Sequence, residues 1–425
     1  MNNLEHLLSL DTQATLLLCG HFGKKTVIHI EPLTPAEYAW LAQQLQAQNM
    51  RPADLLDTAS TLKIKHFEKH NTVTAERLVA LLMRRGALTL AVETWTHKGL
   101  WVISRSDKTY PLRLKKQLGQ LAPPIFYGVG AAHLLQKGGL AVVGSRELDE
   151  DITEFTKLIA KKSAQQGITM LSGSDRGVNS EAMLTALTHG GTAVGVLSDN
   201  LARMSIVGKY REALREKRLV LISPFDPQVG FNIGNAMACS KYIYALSDWA
   251  LVVNSEHQED GTWMGASENL TAGWVPLLVR QAQSMSLGNQ SLLNQGGIAL
   301  DKPTLQAMTD LRQQLTHLSK TFNKLATDAI PLTENITLKP VTTTDRAQLL
   351  HQPIDLFEIV WPYLEQQLST EKTEPELAEI LQLHPLQLRL WLKRALEMGK
   401  IKKLTKPARY IHVDASYGTQ CALFE

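Results

Sequence analysis

The chain has 425 residues, with 44 Lys and Arg against 41 Asp and Glu, a formal net charge of +3. That length exceeds one ordinary hydrophobic core and predicts two or three domains. With 44% hydrophobic and 20% charged residues the composition is that of a soluble globular protein, no apolar run approaches the ~18 residues of a membrane helix, and the net charge alone makes no case for nucleic acid.

Met1-Asn2-Asn3-Leu4-Glu5 lacks the basic start and apolar core of a secretion signal, so the expected location is the cytoplasm, with no membrane partner. From Leu4 to about Gly86 the pattern is helical: Tyr38, Leu41 and Leu45 recur along 35–48, and Leu78, Val79, Leu81 and Leu82 along 75–83. Two motifs in this part fail on inspection. Gly20-His21-Phe22-Gly23-Lys24-Lys25-Thr26 lacks the first glycine of a phosphate-binding P-loop, where Leu18 stands. His66 and His70 have the spacing of a helical zinc pair but not its neighbouring glutamate. Cys19, Cys239 and Cys421 are far apart, which indicates neither a disulfide framework nor a zinc knuckle. No cofactor or metal is expected.

From Leu88 the pattern changes. Residues 88–92 and 100–103 read as strands, and Pro111, Pro123 and Pro124 punctuate the approach to a glycine turn. Strands are then expected at 139–143, 168–172, 192–197, 219–222, 249–253 and 276–279, alternating with helices at 150–165, 179–188, 206–217, 233–246 and 264–272. Such alternation predicts an α/β fold with a mostly parallel sheet covered on both faces, and ligands at the carboxyl ends of its strands.

Two of these strands end alike. The first runs into Gly144-Ser145-Arg146 and the second into Ser172-Gly173-Ser174-Asp175-Arg176-Gly177. Glycine admits an anion close to the backbone, serine and N–H groups donate to it, and arginine forks onto phosphate oxygens. Either turn alone is equally a packing turn, and Arg176 is equally a partner for Asp175. Neither fits G-x-G-x-x-G, so a nicotinamide dinucleotide is not favoured. Asn232 or Asn235 would cap the helix that follows Phe231, and Glu268 reads as a helix-surface residue or a general base.

Around 327–348 the chain is rich in threonine and reads as a linker. Beyond it, helical patterns at 354–364, 373–381 and 386–398 and a basic ribbon at 401–413 outline a winged helix-turn-helix. Arg389, Lys393, Arg394, Lys400, Lys402, Lys403, Lys406 and Arg409 face the single acid Glu397 in that stretch, the footprint of a phosphate-backbone contact or of a solvated basic face. Trp361 and Trp391 fall on apolar helix faces and are expected in its core.

In order along about 105–300, Tyr110-Pro111, Pro123-Pro124-Ile125-Phe126-Tyr127-Gly128, the turns at 144–146 and 172–179, Gly190 to Leu197 and Gly288 to Gly297 resemble the DNA-processing protein A (DprA/Smf) family. The resemblance implies an extended Rossmann-like domain that binds single-stranded DNA, forms a homodimer and delivers the strand to a RecA-type recombinase, with no catalytic step. Carried over by position, Gly144, Ser145 and Arg146 would hold a DNA phosphate, with Gly173, Ser174 and Arg176 lining the same pocket.

One departure is plain. Where the family usually has Arg-Asn-Arg, this chain has Gly234-Asn235-Ala236, so two cations are missing and Lys241, further along the helix, is the candidate substitute. The expected organisation is a helical domain over 1–87, a Rossmann-like domain over 88–305, a helix and Thr-rich linker over 306–348, and a winged helix over 349–415 that touches duplex DNA or a protein. The competing expectation is a pocket for a free nucleotide or nucleotide sugar, sensed or cleaved with Arg176 on phosphate and Glu268 near the sugar, in phage defence or elsewhere.

Overall fold

The computed structural model describes residues 6–22, 30–57, 64, 67, 70–173, 176–256, 261–328, 357, 361, 364–365, 367–368, 370–380, 385–404 and 409–412. The chain divides into two compact units, Met1–Pro331 and Leu332–Glu425.

The first unit is built on a nine-stranded sheet in the order β1-β2-β6-β5-β4-β3-β7-β8-β9. Its strands are β1 (Trp101–Ser104), β2 (Ile125–Gly130), β3 (Leu140–Val143), β4 (Met170–Gly173), β5 (Ala193–Val196), β6 (Leu219–Ser223), β7 (Trp249–Val252), β8 (Leu277–Gln281) and β9 (Ile298–Asp301). From β6 across to β9 neighbouring strands pair in parallel, whereas β1–β2 and β2–β6 are antiparallel. Every residue of β3, β4, β5, β6 and β7 is buried. That burial explains their near-continuous apolar sequences, since a parallel strand is covered on both faces.

Side chains alternate between the two faces. Leu140, Val142, Met170 and Leu251 join Phe155 and Ile159 of the Glu150–Gln165 helix and Ala182 of the Val178–Thr188 helix. Ala141, Val143, Leu171 and Val252 face the other way, onto Ile243 of the Ile233–Leu246 helix, Ala266 of Gly261–Ala272 and Leu292 of Leu287–Asn294. The helices before β1 add Leu16, Leu41, Leu78 and Trp95 to the first of these layers, so their apolar side chains belong to the same core as the sheet. Trp95 meets Tyr127 of β2 edge-on, 4.9 Å between ring centroids.

Two elements differ from what periodicity predicts. Residues 88–92, read as a strand, lie inside the Arg85–His97 helix. The buried residues there are Leu88, Val92 and Trp95, a helical spacing, while Leu90 is exposed. The run Leu-Thr-Leu-Ala-Val satisfied both periods over five residues, and only the longer window separates them. The predicted 206–217 helix is Gly208–Arg215.

In the second unit the helices Glu374–Ile380 and Pro385–Glu397 precede an antiparallel pair, β10 (Ile401–Leu404) and β11 (Arg409–His412). Lys372 adds one bridge to Tyr410 of β11. Phe357, Trp361, Leu377, Leu388, Leu392 and Ile401 form the core, with Trp391 packed against it. The Thr-rich linker lies outside the described residues, apart from the end of the Leu311–Asp328 helix.

Candidate nucleic-acid interface

The chain lays down β3, β4, β5 and β6 in one direction, then returns to place β7 on the other side of β3. The crevice outside the carboxyl ends of β3 and β7 is therefore a topological switch point, where ligands of such sheets bind. A cleft of about 770 Å³ opens there, walled by the ends of β3, β4, β5 and β7 and by the first turns of the Ile233–Leu246 and Gly261–Ala272 helices.

The Gly144-Ser145-Arg146 turn forms one lip. Gly144 N–H donates to Asn179 Oδ1 at 3.2 Å, and Ser145 N–H donates to the Asn254 carbonyl at 2.9 Å. Asn254 Nδ2 also donates to Ser145 Oγ at 3.3 Å, and Val178 N–H reaches the Ser145 carbonyl at 3.2 Å. The β3 turn is thus pinned from both sides, by Asn254 two residues beyond β7 and by the helix after β4. A close approach completes the joint: Gly177 has φ 83°, and a Cβ there would sit 2.3 Å from the Ser145 carbonyl oxygen and 2.6 Å from Arg146 Cα. Only glycine permits that backbone-on-backbone contact.

The Glu150–Gln165 helix does not offer a bare N-terminus to the cleft. Asp149 caps it, accepting from Ile152 N–H at 2.6 Å, and Glu150 and Asp151 fill its first turn. The dipole of that helix is therefore not open to an anion at this site.

Gly144, Ser145, Arg146 and Gly173 all line the cleft. Arg146 is exposed, its guanidinium carbon 5.6 Å from the centroid of the Phe231 ring. Arg176 is exposed on the adjoining turn and is not part of the cleft wall. Among the described residues neither arginine is in an ion pair. Ser174 lies outside the described residues.

Asn235 and Lys241 do not line the cleft. Asn232 caps the helix by accepting from Asn235 N–H at 3.2 Å, and Lys241 Nζ lies 5.4 Å from the centroid of the Tyr242 ring. Lys209 donates to Ser180 Oγ at 3.1 Å, on the helix that follows the second turn, and burial lowers the pKa of its ammonium group. Glu268 is exposed and off the wall, and among the described residues the carboxylates that line the cleft are Glu147, Asp149 and Glu256.

Sequence reasoning passed over Asn179 as a lock, together with Asn254, Ser198 and the apolar wall. The motif Gly288-Asn289 proves to be a brace: Asn289 Nδ2 donates to the Val253 and Arg280 carbonyls at 3.1 and 3.0 Å, tying the end of β7 to β8.

The order of these features along the chain, two glycine turns joined at a switch point and a brace after β8, coincides with a sequence match over residues 101–311 to DNA recombination-mediator protein A. Through that segment the chain belongs to this family. Among solved structures it is similar to DNA processing protein A of Streptococcus pneumoniae, at 16% identity over 65% of this chain and 98% of that one, TM-score 0.47. It is also similar to DNA processing protein A of Helicobacter pylori, described with its single-stranded DNA binding mode, at 20% identity over 54% and 96%, TM-score 0.41. A molybdenum cofactor binding protein of Rippkaea orientalis matches at 13% identity over 42% and 96%, TM-score 0.31. No curated protein matches the chain.

In the second unit several of the basic side chains are engaged within the unit. Arg389 pairs with Glu374, and Arg409 with Glu371 at 3.3 Å. Arg394 stacks 4.7 Å from the Phe357 centroid, Lys400 4.6 Å from Trp361, and Lys403 5.7 Å from Tyr410. Lys393, Lys402 and Lys403 are exposed, and Lys406 lies outside the described residues.

Proposed function

We propose that the chain is a non-enzymatic binder of single-stranded DNA that acts in the cytoplasm as a homodimer and hands the strand to a RecA-type recombinase. The observation that carries this reading is the joint between the two glycine turns at the switch point, with Arg146 on the cleft lip. Gly144, Ser145 and Arg146 take a phosphate there, and Gly173, Ser174 and Arg176 continue the path of the strand. Asn235 and Lys241 act from outside the cleft wall. The second unit is a winged helix whose Arg389, Lys393, Arg394, Lys402, Lys403 and Lys406 contact duplex DNA or a protein partner. An anisotropy titration of a fluorescent oligothymidylate across salt tests the cleft. Affinity should fall with salt, and Arg146→Ala should weaken binding and flatten that fall. Unchanged binding in Arg146→Ala would contradict the assigned site.

The absence of arginine at Gly234 and Ala236 favours a second reading in which the pocket holds a free nucleotide or nucleotide sugar. Incubation with nucleoside monophosphates separates the two. Tight binding or release of free base supports the second reading, and the absence of both removes it.

A further inference from the structure

A second hollow, of about 460 Å³, lies at the other end of the sheet. Asp248 and Pro276 on its wall stand just before β7 and β8, so it opens at the amino ends of those strands, a strand's length from the cleft. Apart from Trp249, the rest of its wall is one face of the Leu311–Asp328 helix, where helical spacing brings Arg312, Thr316, Ser319 and Lys320 together. Leu311 and Leu315 of the same helix are buried in the core of the first unit, and the hollow belongs to that unit. The helix begins where the match to the family ends, at residue 311.

The wall offers positive charge and hydrogen-bond acceptors side by side. Arg312 and Lys320 are exposed, and among the described residues neither is in an ion pair. The Arg312 guanidinium carbon lies 5.7 Å from the centroid of the Trp249 ring, a stacking contact that orients the fork. Thr316 Oγ1 and Ser319 Oγ donate to the Arg312 and Leu315 carbonyls, each at 2.8 Å, which commits their protons and leaves both oxygens as acceptors. Asp248 does not cancel the cations, because Arg113 donates to its Oδ1 at 2.7 Å and Gly139 N–H to its Oδ2 at 2.9 Å. We propose that this hollow binds a phosphate monoester carrying hydroxyl groups, of the sugar-phosphate or nucleoside-phosphate class. The phosphate lies between Arg312 and Lys320, and the hydroxyls donate to Thr316 and Ser319. A bare anion would engage the cations and leave both acceptors unused. The volume is in the range of small-ligand sites, and the site is independent of strand binding at the cleft.

Isothermal titration calorimetry of the full chain with ribose 5-phosphate, inorganic phosphate and adenosine monophosphate tests the site. Ribose 5-phosphate should bind about tenfold more tightly than inorganic phosphate, the effect of two added hydrogen bonds. Arg312→Lys keeps a cation over Trp249 but removes the fork, and should weaken ribose 5-phosphate about tenfold. Ser319→Ala should weaken it several-fold and leave inorganic phosphate unchanged. Matched melting curves by circular dichroism would identify both losses as losses of binding. Arg146→Ala, which alters the cleft, should leave ribose 5-phosphate binding as it is. In that variant, tighter binding of adenosine monophosphate than of ribose 5-phosphate supports the site with a nucleotide as its ligand, and equal or weaker binding supports it with a sugar phosphate. Failure of both esters to bind, equal affinity for inorganic phosphate and ribose 5-phosphate, or binding lost in Arg146→Ala and kept in Arg312→Lys would overturn the proposal.

Discussion

Gly177 is the residue on which the geometry of the site turns. Its positive φ and its contact with the Ser145–Arg146 backbone leave no room for a methyl group. Gly177→Ala should cost about 1–3 kcal/mol through strain and displacement of the turn, measured by urea unfolding, and should weaken strand binding. A variant with unchanged stability would mean that the two turns are not locked together. Asn179→Leu removes the acceptor of Gly144 N–H and should loosen the same lip, again with lower affinity for single strands. The turns themselves were legible in the sequence, because glycine, serine and arginine after a buried apolar run announce a close backbone approach. The locks were not. Asn254 meets Ser145 across 109 positions of sequence, and only the placement of β7 beside β3 brings them together. Arg176 shows the limit of reading residue types. Its turn adjoins that of Arg146, yet its side chain is not on the cleft wall.

The elements show where periodicity suffices and where it does not. Parallel strands buried on both faces stand out as short apolar runs, so β3 to β8 were visible. The Arg85–His97 helix was not, because its central residues also alternate. Among the helices before the sheet, one contact makes a pH prediction. Thr34 and Glu37 form a capping box at the Pro35–Ala47 helix, and Arg77 donates to both oxygens of the Glu37 carboxylate, at 2.7 and 3.1 Å. Burial opposes ionisation of Glu37, but hydrogen bonds from Arg77, Thr72 and Thr34 outweigh it and hold the group at about 2, below its ordinary 4.5. Because the folded value lies below the unfolded one, its stabilisation is complete above about pH 4.5 and is lost as pH falls toward 2. Glu37→Gln should flatten the stability curve in that window, as followed by circular dichroism. Arg77→Ala should cost about 2 kcal/mol at neutral pH.

At the scale of the whole molecule the chain divides at Pro331 into two compact units. The first unit has its own core and the cleft with Arg146 on its lip, so a chain ending at Pro331 should fold and bind single strands. Its affinity for the single strand should still fall with salt. The second unit carries the basic segment, and its loss should abolish duplex or partner binding and leave oligothymidylate binding in place. Gel-shift assays with the two DNA forms would read this directly. The account's central claim is that the switch-point cleft is where the strand is held. A crystal structure of the full chain with a short oligothymidylate tests it most directly: the account predicts a phosphate within hydrogen-bonding distance of the Gly144-Ser145-Arg146 turn. A strand seated elsewhere, with that turn untouched, would contradict it.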